Sequence, residues 1–158
     1  MIFVEINSQS IVMNTKVDHI VRAEIKINAS ADEVWDALIN PETIKKYMFG
    51  ATVISDWNIG SKIIWKGEWQ GKPYEDKGEI IQFVPKKKLQ YSHFSPLSGL
   101  PDIPENYHTV SIILSEEEDE TVVTLIQDNN ETEEAKEHSE KNWKMMLSGL
   151  KKNLEEQN

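Results

Sequence analysis

From residue 51 to residue 127 the apolar residues recur with a period of two, and most of the connections between these segments are only a few residues long. No other feature narrows the possible folds as much. A parallel pairing needs a crossover of about a dozen residues or more, usually a helix, whereas Asn58-Ile-Gly-Ser61, Gly71-Lys72, Pro85-Lys-Lys-Lys88 and Ser115–Glu120 leave room only for turns. Strands are therefore expected antiparallel, over Ala51–Asp56, Lys62–Gln70, Tyr74–Val84, Leu89–Phe94, Tyr107–Leu114 and Thr121–Gln127. Within Lys62–Gln70, Trp65 and Trp69 share parity with Ile63, which assigns both tryptophans to the inner face.

The segments on either side complete the architecture. His19–Ile27 alternates as a half-buried strand, with Val21, Ala23, Ile25 and Ile27 on one face. Ser30 followed by Glu33 has the spacing of a capping box, and Val34, Trp35, Leu38 and Ile39 then recur at helical spacing. Asn40-Pro41 ends that helix and opens a second, short one to Tyr47, because proline fits a first helical turn but not an interior. From about Asn130 to Glu156 the period lengthens to that of a helix, with Trp143, Met146, Leu147, Leu150 and Leu154 on one stripe. Gly149 inside it marks a close backbone approach. Six or seven strands with one long amphipathic helix make an α+β domain whose curved antiparallel sheet wraps that helix.

Charge and residue usage remove several functions. The chain has no cysteine, so thiol nucleophiles, zinc fingers and disulfide frameworks are excluded. It nets −10 and has a single arginine, Arg22, which argues against a nucleic-acid footprint or an anionic membrane surface. The acidity is local: residues 116–140 hold 11 acidic residues and one basic residue, Lys136, and the remainder balances at 16 of each. Such a window is either solvated turn and helix start or a docking surface for a basic protein such as a chaperone. No window approaches the ~18 uninterrupted apolar residues of a membrane span, and the opening Met1–Ile6 carries Glu5 and lacks a basic leader. A cytoplasmic protein is expected, with residues 1–17 as an N-terminal extension and 18–158 as one domain, as monomer or homodimer.

Neither a Gly-x-Ser-x-Gly elbow nor a phosphate-cradling glycine loop occurs. No catalytic residue, metal or cofactor is assigned. His93 shares parity with Leu89 and Tyr91, His108 with Val110 and Ile112, and the two flank a loop, Ser95–Asn106, that holds three prolines and one glycine. Loops of that length in compact domains tend to serve as lids or binding segments, so the histidines are expected to converge at the rim of a cavity. His19 and His138 read as surface residues. Trp65, Trp69, Tyr91, Tyr107 and Trp143 are expected between sheet and helix, with Phe49 and Phe94 near the ends. The candidate ligand-binding cavity is thus Phe49, Trp65, Trp69, Tyr91, His93, Tyr107, His108, Trp143 and Leu147, apolar with a few polar anchors.

Ile20–Asn158 resembles the START-like (SRPBCC) helix-grip superfamily, and within it the bacterial branch homologous to the activator of heat-shock-protein-90 ATPase. The likeness is carried by Asn28-Ala-Ser-Ala-Asp-Glu-Val-Trp-Asp-Ala-Leu38, by Asn40-Pro41 before Tyr47, by Gly78-Glu-Ile-Ile-Gln-Phe-Val-Pro85 followed by Leu89, and by Trp143, Leu147 and Leu150 of the last helix. The resemblance implies a seven-stranded antiparallel sheet around a long C-terminal helix, two small helices after the first strand, and an elongated cavity for lipid-like, polyketide-like or other hydrophobic molecules. The expected function is binding of a small hydrophobic or aromatic ligand between sheet and helix, with residues 95–106 as gate. A protein-interaction module docking through the acidic 116–140 surface is the alternative. A cyclase-like enzyme using His93 or His108 as acid or base is a third.

Overall fold

A computed structural model describes residues 19–156; the expected N-terminal extension lies outside them. Strand β1 (His19–Ile27) is followed by helices α1 (Ala31–Ile39) and α2 (Pro41–Tyr47). Strands β2 (Thr52–Ser55), β3 (Lys62–Trp69), β4 (Lys72–Val84), β5 (Lys88–His93), β6 (His108–Glu117) and β7 (Glu120–Asn130) come next, and helix α3 (Glu133–Glu156) follows. The seven strands form one antiparallel sheet in the order β1-β7-β6-β5-β4-β3-β2.

Alternation along each strand buries one face of the sheet against the helices. Ala23, Ile27, Ile63, Trp65, Ile80, Leu89, Tyr91, Val110, Ile112, Val123 and Leu125 meet Val34, Trp35, Leu38, Ile44, Leu147 and Leu150 in a single core. Helix α1 begins at the capping box: Ser30 Oγ accepts from the Glu33 amide at 3.2 Å, and Glu33 Oε1 accepts from the Ser30 amide at 3.3 Å. Asn40 ends α1 and caps α2, its Oδ1 accepting from the Glu42 amide at 3.0 Å. Buried Tyr47 closes α2 onto α1 by donating to the Ala37 carbonyl at 2.8 Å. Gly149 does mark a close approach, since a Cβ there would stand 3.2 Å from that of Tyr47.

Helix α3 also holds the edge strand β1. Lys151 Nζ donates to the Lys26 carbonyl at 2.7 Å, and Glu155 accepts from the Asn28 amide at 2.8 Å. The sheet thus has two unlike ends. The turn end gathers the β4–β5 and β6–β7 turns, the start of α1 and the last turns of α3. The loop end gathers the β3–β4 turn, residues 95–106 and the first turns of α3.

Two expectations need correction. The β3–β4 turn is Gln70-Gly71 rather than Gly71-Lys72, because both residues take positive φ (51° and 80°), as a mirror-image two-residue turn requires, and Trp69 then faces Lys72. The acidic window is not one surface. Glu116–Glu120 sit at the β6–β7 turn while Glu131–Glu140 sit at the start of α3, and the ten steps from Glu120 to Asn130 along β7 separate them by about 33 Å at ~3.3 Å per step. Part of the first group is engaged, with Glu116 accepting from the Ala31 amide at 3.4 Å and Glu117 3.8 Å from Lys26.

Candidate functional site

The middle of the grip is filled. Leu38, Ile44, Tyr47, Ile63, Leu89 and Ile112 close on a residual space of only about 20 Å³. Open volume lies toward the loop end, in two hollows that share His93. An inner recess of about 80 Å³ is walled by Met48, Phe49, Ala51, Trp65, Tyr74, Asp76, Tyr91, His93 and Trp143. An outer hollow of about 380 Å³ is lined by His93, Ser95, Ser98, Leu100, Asn106, His108, Asn129, Asn130, Glu131, Ala135, His138 and Ser139. Larger depressions, of about 880 Å³ on the opposite sheet face and about 530 Å³ along the solvent side of α3, are open to water and lined by interleaved charges of both signs.

His93 and His108 stand opposite each other in the β5–β6 register, with ring centroids 6.3 Å apart and planes 28° apart. His93 Nε2 lies 2.8 Å from Asp76 Oδ2, and its ring meets Trp65 edge-on at 5.0 Å. Trp65 in turn packs on Tyr91 at 5.1 Å. Asp76 has a side chain only 14% exposed, and its Oδ1 is buried with no hydrogen-bond partner. His108 Nδ1 lies 2.9 Å from the Asp128 carbonyl oxygen. Burial pushes the phenol of Tyr91 well above the ordinary tyrosine range.

The outer wall is tied together by side chains that hold backbone groups. Asn130, 2% exposed, donates to the His19 carbonyl at 2.8 Å and accepts from Ser139 Oγ at 3.0 Å, which joins β1, β7 and α3. Asn129 adopts φ 59° and donates to the carbonyls of Glu105 at 2.8 Å and Tyr107 at 3.0 Å, which fixes the far end of the loop. The loop itself folds into single 3₁₀ turns at Pro96–Ser98 and Pro104–Asn106. His138 is exposed at the rim, whereas the His19 side chain is only 20% exposed and its Nδ1 lies 3.2 Å from the Asn130 carbonyl oxygen.

The nine residues proposed from sequence do not all meet. Trp65, Tyr91, His93 and Trp143 wall the inner recess together, Phe49 joins them although 55% exposed, and His108 lines the outer hollow. Leu147 is packed in the core at 2% exposure. Trp69 has the inner parity but is 54% exposed, since it is the last residue before the Gln70-Gly71 turn. Tyr107 has the parity of Thr109, not of His108, so it lies on the opposite face of the sheet. There it stacks on Phe94 at 5.2 Å and donates to Asp102 at 2.6 Å, and Lys77 pairs with the same carboxylate. The hydrogen bonds from Lys77 and Tyr107 hold Asp102 below the usual carboxylate range.

Sequence reasoning passed over Asp76, Asn129 and Asn130. Asp76 was findable, because Tyr74, Asp76, Gly78 and Ile80 share parity and Ile80 is apolar. The asparagines follow a period-two run and look like turn residues. Among the described residues no three His, Asp or Glu side chains gather as a metal site. The arrangement can exclude water from an apolar group while its few fixed polar atoms orient that group.

Comparison with known proteins agrees with this geometry. The family model for Activator of Hsp90 ATPase homolog 1-like proteins matches residues 28–155. The solution structure of ChR145 from Cytophaga hutchinsonii is 59% identical, with 87% of this chain and 94% of that one covered and a TM-score of 0.77. The Aha1 dimer from Colwellia psychrerythraea is 23% identical over 84% of this chain and 93% of that one, with a TM-score of 0.66. CalU16 from Micromonospora echinospora is 21% identical over 87% and 83%, with a TM-score of 0.67; these last two show the shared fold alone. No curated protein matches the chain in sequence. The matched span, the near relative and the helix-grip architecture together place the chain in the Activator of Hsp90 ATPase homolog 1-like family of the START-like superfamily.

Proposed function

We propose that this protein binds a small, partly aromatic molecule at the loop end of its grip, with the apolar part in the recess beside Trp65 and Trp143 and polar groups in the outer hollow. The observation that carries this reading is the junction at His93. The core is otherwise packed almost without voids, yet here two hollows meet at a side chain that is held by a carboxylate and flanked by aromatic rings. Protein interiors are close-packed by default, so an opening lined by oriented polar groups is the feature that needs a function. The 95–106 loop, with Ser95, Ser98, Leu100 and Asn106 on the rim, serves as the gate.

The test is to titrate flavonoid-like, polyketide-like and lipid compounds while following tryptophan fluorescence and native mass. Binding is expected to quench or shift the Trp65 and Trp143 emission, and His93→Ala is expected to weaken it at least tenfold. Compounds from all three classes leaving both emission and mass unchanged would overturn the proposal. Among the described residues no helix is long and apolar enough to cross a membrane.

A further inference from the structure

Building on that ligand-binding reading, we infer that the recess selects a ligand carrying a positive charge, an amine protonated or fully alkylated at the end of an apolar or aromatic body. Three observations converge. The first is Asp76. One oxygen engages His93 at 2.8 Å; the other is buried without a partner, and a buried acceptor left in that state costs free energy until a donor or a cation reaches it. That oxygen belongs to the one acidic side chain that walls the inner recess.

The second is what surrounds that carboxylate. Trp65, Tyr74, Tyr91, Trp143 and Phe49 wall the same recess, and aromatic faces attract an ammonium group through their quadrupoles, most strongly when water is excluded. Phe49 is the most exposed of these walls and sits in a left-handed conformation (φ 54°) between α2 and β2.

The third is the sign of the rest of the lining. Asp76 and Glu131 are the acidic residues of the two hollows, and neither hollow is lined by a lysine or arginine. Their histidines are engaged: His93 with Asp76, His108 with the Asp128 carbonyl, and His138 with Asn142 at 3.4 Å. A ligand carboxylate or phosphate finds no lysine or arginine there. Beyond the rim, the first turns of α3 hold Glu133, Glu134, Glu137 and Glu140 beside Lys136, Lys141 and Lys144, so the selection rests on Asp76 and Glu131.

The experiment compares four probes that share a phenyl ring on a short chain: phenethylamine, its N-trimethyl derivative, the neutral 3-phenylpropanol and the anionic 3-phenylpropionate. Affinity is read by tryptophan quenching and calorimetry. The two cations are expected to bind at least tenfold more tightly than the alcohol, and the carboxylate not to bind. Asp76→Asn keeps the shape and is expected to remove that tenfold preference, with its urea midpoint reporting separately that the variant is folded. Glu131→Gln is expected to weaken both cations by about twofold at low salt. Equal binding of cation, alcohol and carboxylate would overturn the charge selection and leave the ligand-binding reading standing. Failure of all four, together with the compound classes above, would overturn both.

Discussion

The turn end and the loop end of the sheet are built from the same seven strands, yet they are finished in opposite ways. At the turn end, Ile27, Val34, Val123 and Leu154 are buried in the common core, and the polar groups there tie one backbone segment to another: the α1 cap, Lys151 and Glu155 on the end of β1, and Thr121, which is fully buried and donates to the Ala29 carbonyl at 2.8 Å. At the loop end, Asn129, Asn130, Asp76 and the two histidines take the positions that aliphatic side chains hold at the other end. Aliphatic packing stabilises without orienting anything, whereas fixed polar atoms orient a guest and return little net stability. On the proposed function, stability and recognition are thereby stored at opposite ends of one sheet.

Substitutions can break that division or sharpen it. Leu150→Ala, at a fully buried position, is expected to cost about 4 kcal/mol from lost burial and the cavity left behind, measured as a lower urea midpoint. The surviving folded fraction should bind ligand as before. Gly78→Ala should breach the division, since a Cβ there would fall onto the Ser92 carbonyl and force β4 from β5. A loss of about 3 kcal/mol is expected, and because Asp76 and His93 sit on those two strands, affinity should fall with stability. Ser30→Ala removes half of the capping box and should cost about 1 kcal/mol, with affinity unchanged.

The smallest effect is a pH dependence at the turn end. Lys151 and the Asn28 amide hold the Glu155 carboxyl below its ordinary value, so the folded state favours the ionised form. Its contribution is full above the usual glutamate range and disappears as pH falls through the lowered value. The Asn28 amide resonance is expected to titrate with a midpoint below that of a free glutamate, and Glu155→Gln should abolish the transition. A midpoint at or above the free value would contradict the assignment.

Most of the fold was legible from the sequence because it rests on local regularities. Periodicity located the strands, Ser30 and Glu33 located the start of α1, and the short turns forced antiparallel pairing. The site was legible only in part. Parity alone assigned Trp65, Tyr91 and His93 to the inner face, but it carries no information on where helix coverage ends, which is why Trp69 emerges into solvent. Tyr107 went to the wrong face because it precedes β6, and the pairing of His93 with His108 fixes His108, not Tyr107, as inward. The Asp76–His93 contact joins residues on adjacent strands, and a single sequence does not state the register that brings them together.

The clasp of α3 on β1 bears on how the chain is completed during synthesis. Strand β1 is made early but pairs with β7, some hundred residues later, and its Lys26 carbonyl and the Asn28 amide just after it are met by Lys151 and Glu155. Contacts so distant in sequence slow folding, and an edge strand waiting for its neighbour is a template for pairing with another chain. A nascent chain halted before β7 would therefore hold an unpaired β1, and the last turns of α3 complete the edge that its first strand leaves open.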